Sequence, residues 1–411
     1  MRLMVYSHDT FGLGNIRRML AICSHLRVSI PDLSILIVSG SPMLQSFRVL
    51  EGIDYIKLPC LKRSEAGELG VRFLDLEVEQ IVRLRRELIL SAVVTFQPDV
   101  VLVDKKPDGL AGEMEPSLRY LKCNLPDSRI LLVLRDILDA QQNTIPAWTR
   151  RGCYNTLQWY YDDILVLGTR QIFDVCTEYR FPSAVSEKVR FCGYVARETP
   201  RRTRHEIRQH LGVADDEEMV LVTTGGGEDG FHILSASLEA LKQISQARRV
   251  QALIVAGPEL APERMKQVRA AAQSWSRVHV VEFVDDMMGY MNAADVVISM
   301  AGYNTVCELL TLAKTSILVP RVTPVEEQKI RAERMAQVPF FRTILPDALT
   351  APVLSGTLID QLEAAKRAVQ FPDAIDMGAL PRISSMLRDE SKHVSVSNFE
   401  FVSKPMIDMV S

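Results

Sequence analysis

Short, continuous apolar runs alternate with longer amphipathic stretches along nearly the whole chain, and this constrains the fold more than any other feature. Leu3–Ser7, Leu33–Val38, Tyr55–Leu58, Val100–Val103, Ile130–Leu134, Asp163–Leu167 and Val189–Cys192 read as strands. Unbroken apolar runs belong to strands buried on both faces, the condition of a parallel sheet covered by helices. Helical patterns fall between them at Asn15–Leu26, Asp75–Thr95 and Ala147–Tyr160. After a polar, proline-containing stretch at 195–204 the alternation restarts. Strands then read at Met219–Thr223, Ala252–Ala256, Val278–Phe283, Asp295–Ser299 and Ser316–Pro320, with helices near 230–246, 262–274, 285–293, 303–312 and 326–337. Two such series predict an α/β protein of two doubly wound, Rossmann-like domains facing a central cleft. Residues 1–197 form the first domain on this reading, 203–388 the second, and the aperiodic segment 389–411 a flexible tail.

Composition narrows the function classes. The 411 residues carry a formal net charge of −3, with 47% hydrophobic and 24% charged side chains, so there is no basic footprint for nucleic acid. Seven cysteines at 23, 60, 123, 153, 176, 192 and 307 are scattered, odd in number and without a CxxC pair. They read as free thiols of a reducing cytosol, and neither they nor the scattered histidines suggest a metal site. No apolar run approaches the ~20 residues that span a bilayer, and the first residues carry no signal-peptide pattern. A cytoplasmic protein without a transmembrane segment is expected. Peripheral membrane contact enters through Ile81–Leu90, a basic amphipathic segment that either covers the sheet or touches anionic headgroups.

In doubly wound sheets, ligands bind where strands end and helices begin. The loop after the first strand holds His8, Asp9, Gly12, Gly14 and Asn15. Its glycines permit close backbone approach, and the helix opening near Asn15 offers free amides to an anion. The third glycine of a dinucleotide fingerprint is replaced by Arg17, which speaks against that reading. His8 and Asp9 stand at the strand tip, where a general base would face the cleft; the alternative is a loop histidine that is merely hydrogen-bonded. Gly225, Gly226 and Gly227 follow the strand at 219–223 and suit a phosphate cradle or a simple chain reversal. The segment at 301–308 opens a helix at Gly302, with Asn304, Thr305 and Glu308 on one face. A phosphate at that N-terminus would have Glu308 one turn above it, placed for vicinal ribose hydroxyls unless it is a solvated surface residue. Glu327 and Gln328, at the next strand end, pair acceptor and donor groups as sugar hydroxyls require.

Taken together, Glu282-Phe283-Val284-Asp285-Asp286-Met287, Ala294–Ser299, Ala301-Gly302 with Thr305 and Glu308, Val319-Pro320 and Glu327-Gln328 resemble the C-terminal domain of family 28 glycosyltransferases in order and spacing. The whole chain resembles a bacterial group of predicted glycosyltransferases that open with His-Asp-Thr-Phe-Gly-Leu-Gly. The resemblance implies a GT-B fold and an inverting, metal-independent and cofactor-free transfer of a hexose or N-acetylhexosamine from a UDP-sugar to a hydroxyl acceptor. It places the base near Phe283, Val284 and Met287, the ribose on Glu308, the diphosphate at Gly302–Thr305 and the 225–227 loop, and the sugar at Glu327 and Gln328. Asn15 stands where related enzymes usually have histidine, so the base role would fall to His8 or Asp9. Gly226 replaces a frequent hydroxyl, and Thr311–Ser316 replaces a Gly-x-Pro turn. The acceptor, a small molecule, glycan or lipid-linked species, would lie on the N-terminal domain near Asp104–Gly109 and Leu134–Asp136. Two other readings use the same residues: a nucleotide-sugar epimerase or hydrolase, and a nucleotide-sugar-binding protein with weakened catalysis.

Overall fold

The computed structural model describes residues 1–8, 14–46, 49–63, 69–273, 275–367 and 371–394. Strands β1 (Arg2–Ser7), β2 (Ser34–Ser39) and β3 (Ile53–Lys57) precede a short antiparallel hairpin, β4 (Leu61–Arg63) and β5 (Leu69–Val71). Strands β6 (Val100–Asp104), β7 (Arg129–Arg135), β8 (Asp163–Leu167) and β9 (Val189–Phe191) complete the first sheet. Its order is β3-β2-β1-β6-β7-β8-β9, parallel throughout. The second sheet contains β10 (Glu218–Thr223), β11 (Val250–Val255), β12 (Val278–Val281), β13 (Val296–Ser299), β14 (Ser316–Leu318) and β15 (Phe341–Thr343). It runs β12-β11-β10-β13-β14-β15, again parallel. Each strand order reverses once, between β1 and β6 and between β10 and β13. These are the switch points at which such sheets open a crevice at their carboxyl edge.

Among the described residues, fifteen α-helices connect and flank the sheets. On the first lie α1 (Gly14–Ser29), α2 (Val78–Phe96), α3 (Glu115–Asn124), α4 (Gln141–Arg150), α5 (Cys153–Tyr160), α6 (Val175–Glu178) and α7 (Ser183–Ser186). The single helix expected over 147–160 is two, because Gly152 takes a left-handed φ of 65° between α4 and α5. Along the second sheet run α8 (Arg204–Leu211), α9 (Phe231–Ile244), α10 (Pro262–Ala272), α11 (Met287–Ala293), α12 (Tyr303–Thr311), α13 (Glu327–Met335) and α14 (Ala351–Ala364). The last, α15 (Ala379–Val394), belongs elsewhere. Alternation placed it in the second domain up to 388, yet it packs against α1. The chain reaches it by pairing Val195 with Gly378, and the Tyr194 amide donates to the Asp376 carbonyl at 2.6 Å. The expected tail from 389 therefore begins inside this helix, and 395–411 lie outside the described residues.

The segment 81–90 settles into α2 as a sheet cover. Ile81, Val82, Ile89 and Val93 are buried, and so is Arg85. Its guanidinium donates to both Glu113 carboxylate oxygens at 2.6 Å and to the Pro59 carbonyl at 2.7 Å. The Tyr6 hydroxyl donates to Glu113 and accepts from the Leu110 amide. Burial, then the Glu113 charge, push the Tyr6 phenol well above its ordinary value. All buried charge in this cluster is therefore matched.

Charge also joins the two domains. Arg331 of α13 and Asp136, just past β7, are 0% and 1% exposed and pair at 2.8 Å; Arg331 also donates to the Ala301 carbonyl at 2.9 Å. One residue away, Arg135 donates to Glu327 at 3.0 Å through Nη1, while its Nη2 meets the second carboxylate oxygen. The Glu326 amide donates to the Asp139 carboxylate at 2.9 Å. Burial alone would raise the Glu327 carboxyl, but Arg135, Arg331, Lys105 and Arg321 outweigh it and hold it down at about 2.

Two measurements check these clusters. Glu113→Ala strands a buried guanidinium and is expected to lower the unfolding free energy by about 3–5 kcal/mol in urea. The double change Arg85→Met with Glu113→Leu should cost far less. For Glu327 the folded-state value is depressed, so its contribution is complete above the ordinary carboxylate value and is lost as pH falls toward about 2. The stability difference between wild type and Glu327→Gln should be flat above pH ~5 and shrink below ~4.

Candidate active site

Because β1 and β6 are neighbours, the residues that leave their carboxyl ends meet. His8 is buried, and its Nδ1 lies 3.0 Å from the Asp104 carbonyl oxygen. A carbonyl only accepts, so the proton sits on Nδ1 and Nε2 is the basic nitrogen. Burial first, then the positive charges of Lys106 and Lys105, hold the imidazole well below its ordinary value, so it is neutral at physiological pH. The Asp104 carboxylate takes Arg18 of α1 at 2.6 Å, both side chains being buried. Arg18 also reaches the Asn15 side-chain oxygen at 3.4 Å, which ties Asn15 into this corner. Asp9 and Gly12 lie outside the described residues.

Lys105 follows with a φ of 64°. For a residue with a side chain this left-handed conformation costs about 1–2 kcal/mol. It turns the chain sharply at the strand tip, where the Lys106 amide donates back to the Asp104 carbonyl at 2.7 Å. Burial and the neighbouring Arg135 lower the Lys105 ammonium to about 8, against the opposing pull of Glu327 and Asp104.

The second switch point carries the other half of the expected site. Gly225 and Gly227 take φ of 67° and 99° in the turn after β10. A methyl on Gly226 would approach the Glu259 carboxylate at 2.4 Å, and one on Gly227 the Ala256 carbonyl at 2.4 Å. Only Gly227 is required by packing, since its contact is with backbone of the loop after β11; at Gly226 the exposed Glu259 side chain can swing away, and Gly225 has open space around it. After β13, Gly302 caps α12 in extended conformation. Glu308 is 4% exposed, which removes the reading of a solvated surface residue. Its carboxyl is raised by burial, with Arg17 and Arg197 pulling it back, and Arg17 lies 3.3 Å from Oε1. Asn304 donates to the Gly14 carbonyl at 2.9 Å and accepts from Arg197, so the openings of α1 and α12 touch across the cleft. Thr305 is half-buried beside it. Phe283 is 67% exposed, with Val284 and Met287 half-buried next to it.

Glu327 and Gln328 open α13, both buried. The Gln328 side-chain oxygen accepts from the Arg321 amide at 3.2 Å. Tyr303 lies between two guanidiniums, Arg18 at 5.8 Å and Arg331 at 5.7 Å from its ring centre. Lys314, just past the end of α12, donates to the Ala294 and Asn292 carbonyls at the end of α11, at 2.8 and 3.2 Å. Sequence reasoning missed Arg17, Arg18 and Arg331. The one available signal was Arg331 on the stripe of Gln328 and Met335, a charge at helical spacing on a buried face.

Residues 219–370 match the glycosyltransferase family 28 C-terminal domain. A UDP-N-acetylglucosamine–N-acetylmuramyl-(pentapeptide) pyrophosphoryl-undecaprenol N-acetylglucosamine transferase from Exiguobacterium is 26% identical over 389 residues, covering 92% of this chain and 97% of the relative. Among solved structures, MurG of Acinetobacter baumannii superposes with a TM-score of 0.59 at 14% identity, covering 95% of this chain and 100% of that one. A UDP-GlcNAc 2-epimerase from Methanocaldococcus jannaschii shares the frame with a TM-score of 0.62 at 12% identity, covering 95% and 100%. Likeness at such identities carries the fold alone. The chain has the GT-B fold, and its residues 219–370 match the C-terminal domain of family 28 glycosyltransferases.

Proposed function

We propose that this glycosyltransferase moves a hexose or N-acetylhexosamine from a UDP-sugar to a hydroxyl acceptor, with inversion and without a metal. The observation that carries the reading is Glu308, buried one turn above the open amides of α12 inside the matched family domain. A diphosphate fits those amides, since the first N–H groups of a helix have no intrahelical partner and the dipole favours negative charge. Glu308 then meets the ribose hydroxyls in place of Arg17. Phe283, exposed at the end of β12, offers a face on which the uracil stacks, flanked by Val284 and Met287. Gly225 contributes to the phosphate side. Glu327 and Gln328 take the sugar hydroxyls.

The chemistry is a single displacement. His8 accepts the acceptor proton on Nε2, and the hydroxyl oxygen forms a bond to the anomeric carbon. The bond from that carbon to the β-phosphate oxygen breaks, and UDP leaves with the electron pair. The α12 amides stabilise the charge that develops on the departing diphosphate. Asn15 cannot accept the proton, so a site with His8 as base does not need the histidine that related enzymes carry there. The epimerase frame is the same fold, but the relative matched over nearly its whole length is named as a transferase.

Calorimetric titration with UDP, GDP, ADP and dTDP tests the donor site: UDP should bind preferentially, and Glu308→Ala should weaken it at least about tenfold, the loss of one charge-assisted contact. Binding of the variant at wild-type affinity would put the ribose elsewhere. His8→Ala should lower UDP release from UDP-N-acetylglucosamine with acceptor extract by roughly 10²–10⁴ while UDP affinity holds. Because the imidazole titrates well below its ordinary value, the acidic limb of the wild-type rate should lie below pH ~6.5. Unchanged turnover would move the role to Asp9, and UDP binding without any turnover would mark a binding protein.

A further inference from the structure

Lys105 and Arg135 stand at the tips of adjacent strands, β6 and β7, on the N-terminal wall of the cleft. Each carboxylate around them already faces a guanidinium, although Asp104 Oδ2 makes no hydrogen bond among the described residues. Asp104 holds Arg18, Asp136 holds Arg331, and Glu327 holds Arg135. Lys105 feels the charges of Glu327 and Asp104, yet its ammonium makes no hydrogen bond or ion pair with any described residue. The backbone nevertheless adopts a left-handed φ to set this residue at the strand tip, beside His8. The Nε of Arg135 is likewise buried without a partner among the described residues.

A consequence follows once a donor binds. If sugar hydroxyls engage Glu327, they compete with Arg135 for the same two oxygens. Arg135 is then released toward Lys105, and two cations face one another with only the Asp104 carboxylate near Lys105, already held through one oxygen by Arg18. Like charges in a sheltered crevice repel strongly, and an anion placed between them removes the penalty.

We propose that Lys105 and Arg135 form an anion subsite for the acceptor, taking a phosphate or carboxylate that the acceptor carries close to its reacting hydroxyl. This rests on the placement of the donor sugar at Glu327 and Gln328. The subsite lies next to His8, so an acceptor anchored by its anion presents a neighbouring hydroxyl to Nε2. It is completed by the donor, which makes acceptor binding follow donor binding. A planar guanidinium fork beside a mobile ammonium suits both phosphate and carboxylate.

The test uses the full chain and two probes, inorganic phosphate followed by 31P line width and acetate followed by 1H saturation transfer. Donor binding is measured first by calorimetry with UDP-N-acetylglucosamine and with UDP. In the presence of saturating UDP-N-acetylglucosamine, at least one of the two anions should bind wild type more tightly than with UDP alone. Lys105→Gln and Arg135→Gln should each weaken that binding at least about tenfold, while Lys105→Arg retains it. Retained donor binding shows that a variant is folded. Phosphate binding alone assigns a phosphorylated acceptor, and acetate binding alone a carboxylated one. If the donor binds but neither anion does, or both bind Lys105→Gln as they bind wild type, the subsite is overturned and the donor reading stands. If wild type binds no UDP-sugar, the donor reading falls and the subsite loses its premise with it.

Discussion

The ion pair between Arg331 and Asp136 is the interaction on which the rest of the cleft depends. Taking both charges out of water is expensive, and their attraction repays it only where geometry is good and the remaining hydrogen-bonding capacity is used. Here the guanidinium engages both carboxylate oxygens and gives its remaining arm to the Ala301 carbonyl. That carbonyl immediately precedes the cap of α12. One side chain thus fixes the second domain against the first and sets the angle at which α12 presents its amides. The Tyr303 ring, flanked by Arg331 and Arg18, carries the same constraint to the tip of β6.

The electrostatics of the cleft follow from how many cations each buried carboxylate meets. Glu308 and Glu327 are almost equally sheltered, yet burial raises the first while four cations hold the second near 2. Burial disfavours the charged form, and opposite charges restore it; the balance is decided by neighbours rather than depth. Glu308 has Arg17 and Arg197, neither in a tight bidentate pair with it, and so it is the carboxylate that exchanges partners more readily. Glu327 sits in the tighter cage, so anything that engages it must first loosen Arg135.

Much of this was legible in the sequence. Unbroken apolar runs such as Val100–Val103 and Val220–Val222 announced strands buried on both faces, and the restart of alternation after 195–204 announced a second sheet. The loops at strand ends were found because the rule about carboxyl edges is topological and needs no coordinates. What stayed hidden has a common physical origin. Arg331 meets Asp136 across 195 residues of chain, and no local pattern distinguishes a buried arginine from a solvated one until its partner is known. The same holds for Arg85 with Glu113, whose helix read as basic and amphipathic because charges on both faces look alike in one dimension. The break at Gly152 was missed for a different reason: one left-handed glycine interrupts a periodic stretch without changing its composition. The packing role of Gly227 depends on a loop some thirty residues away and could not be separated from a ligand role beforehand.

The return of α15 to α1 has a consequence for how the molecule is made. The N-terminal body is discontinuous in the chain, completed by a helix that follows the entire second sheet and its helices. During synthesis the first sheet can assemble early, but the face of α1 that α15 covers stays open until the segment after α14 has left the ribosome. Ile383 and Leu387, buried in the finished protein, therefore close the first domain last. A nascent chain halted after α14 would display a complete second domain beside an unfinished partner.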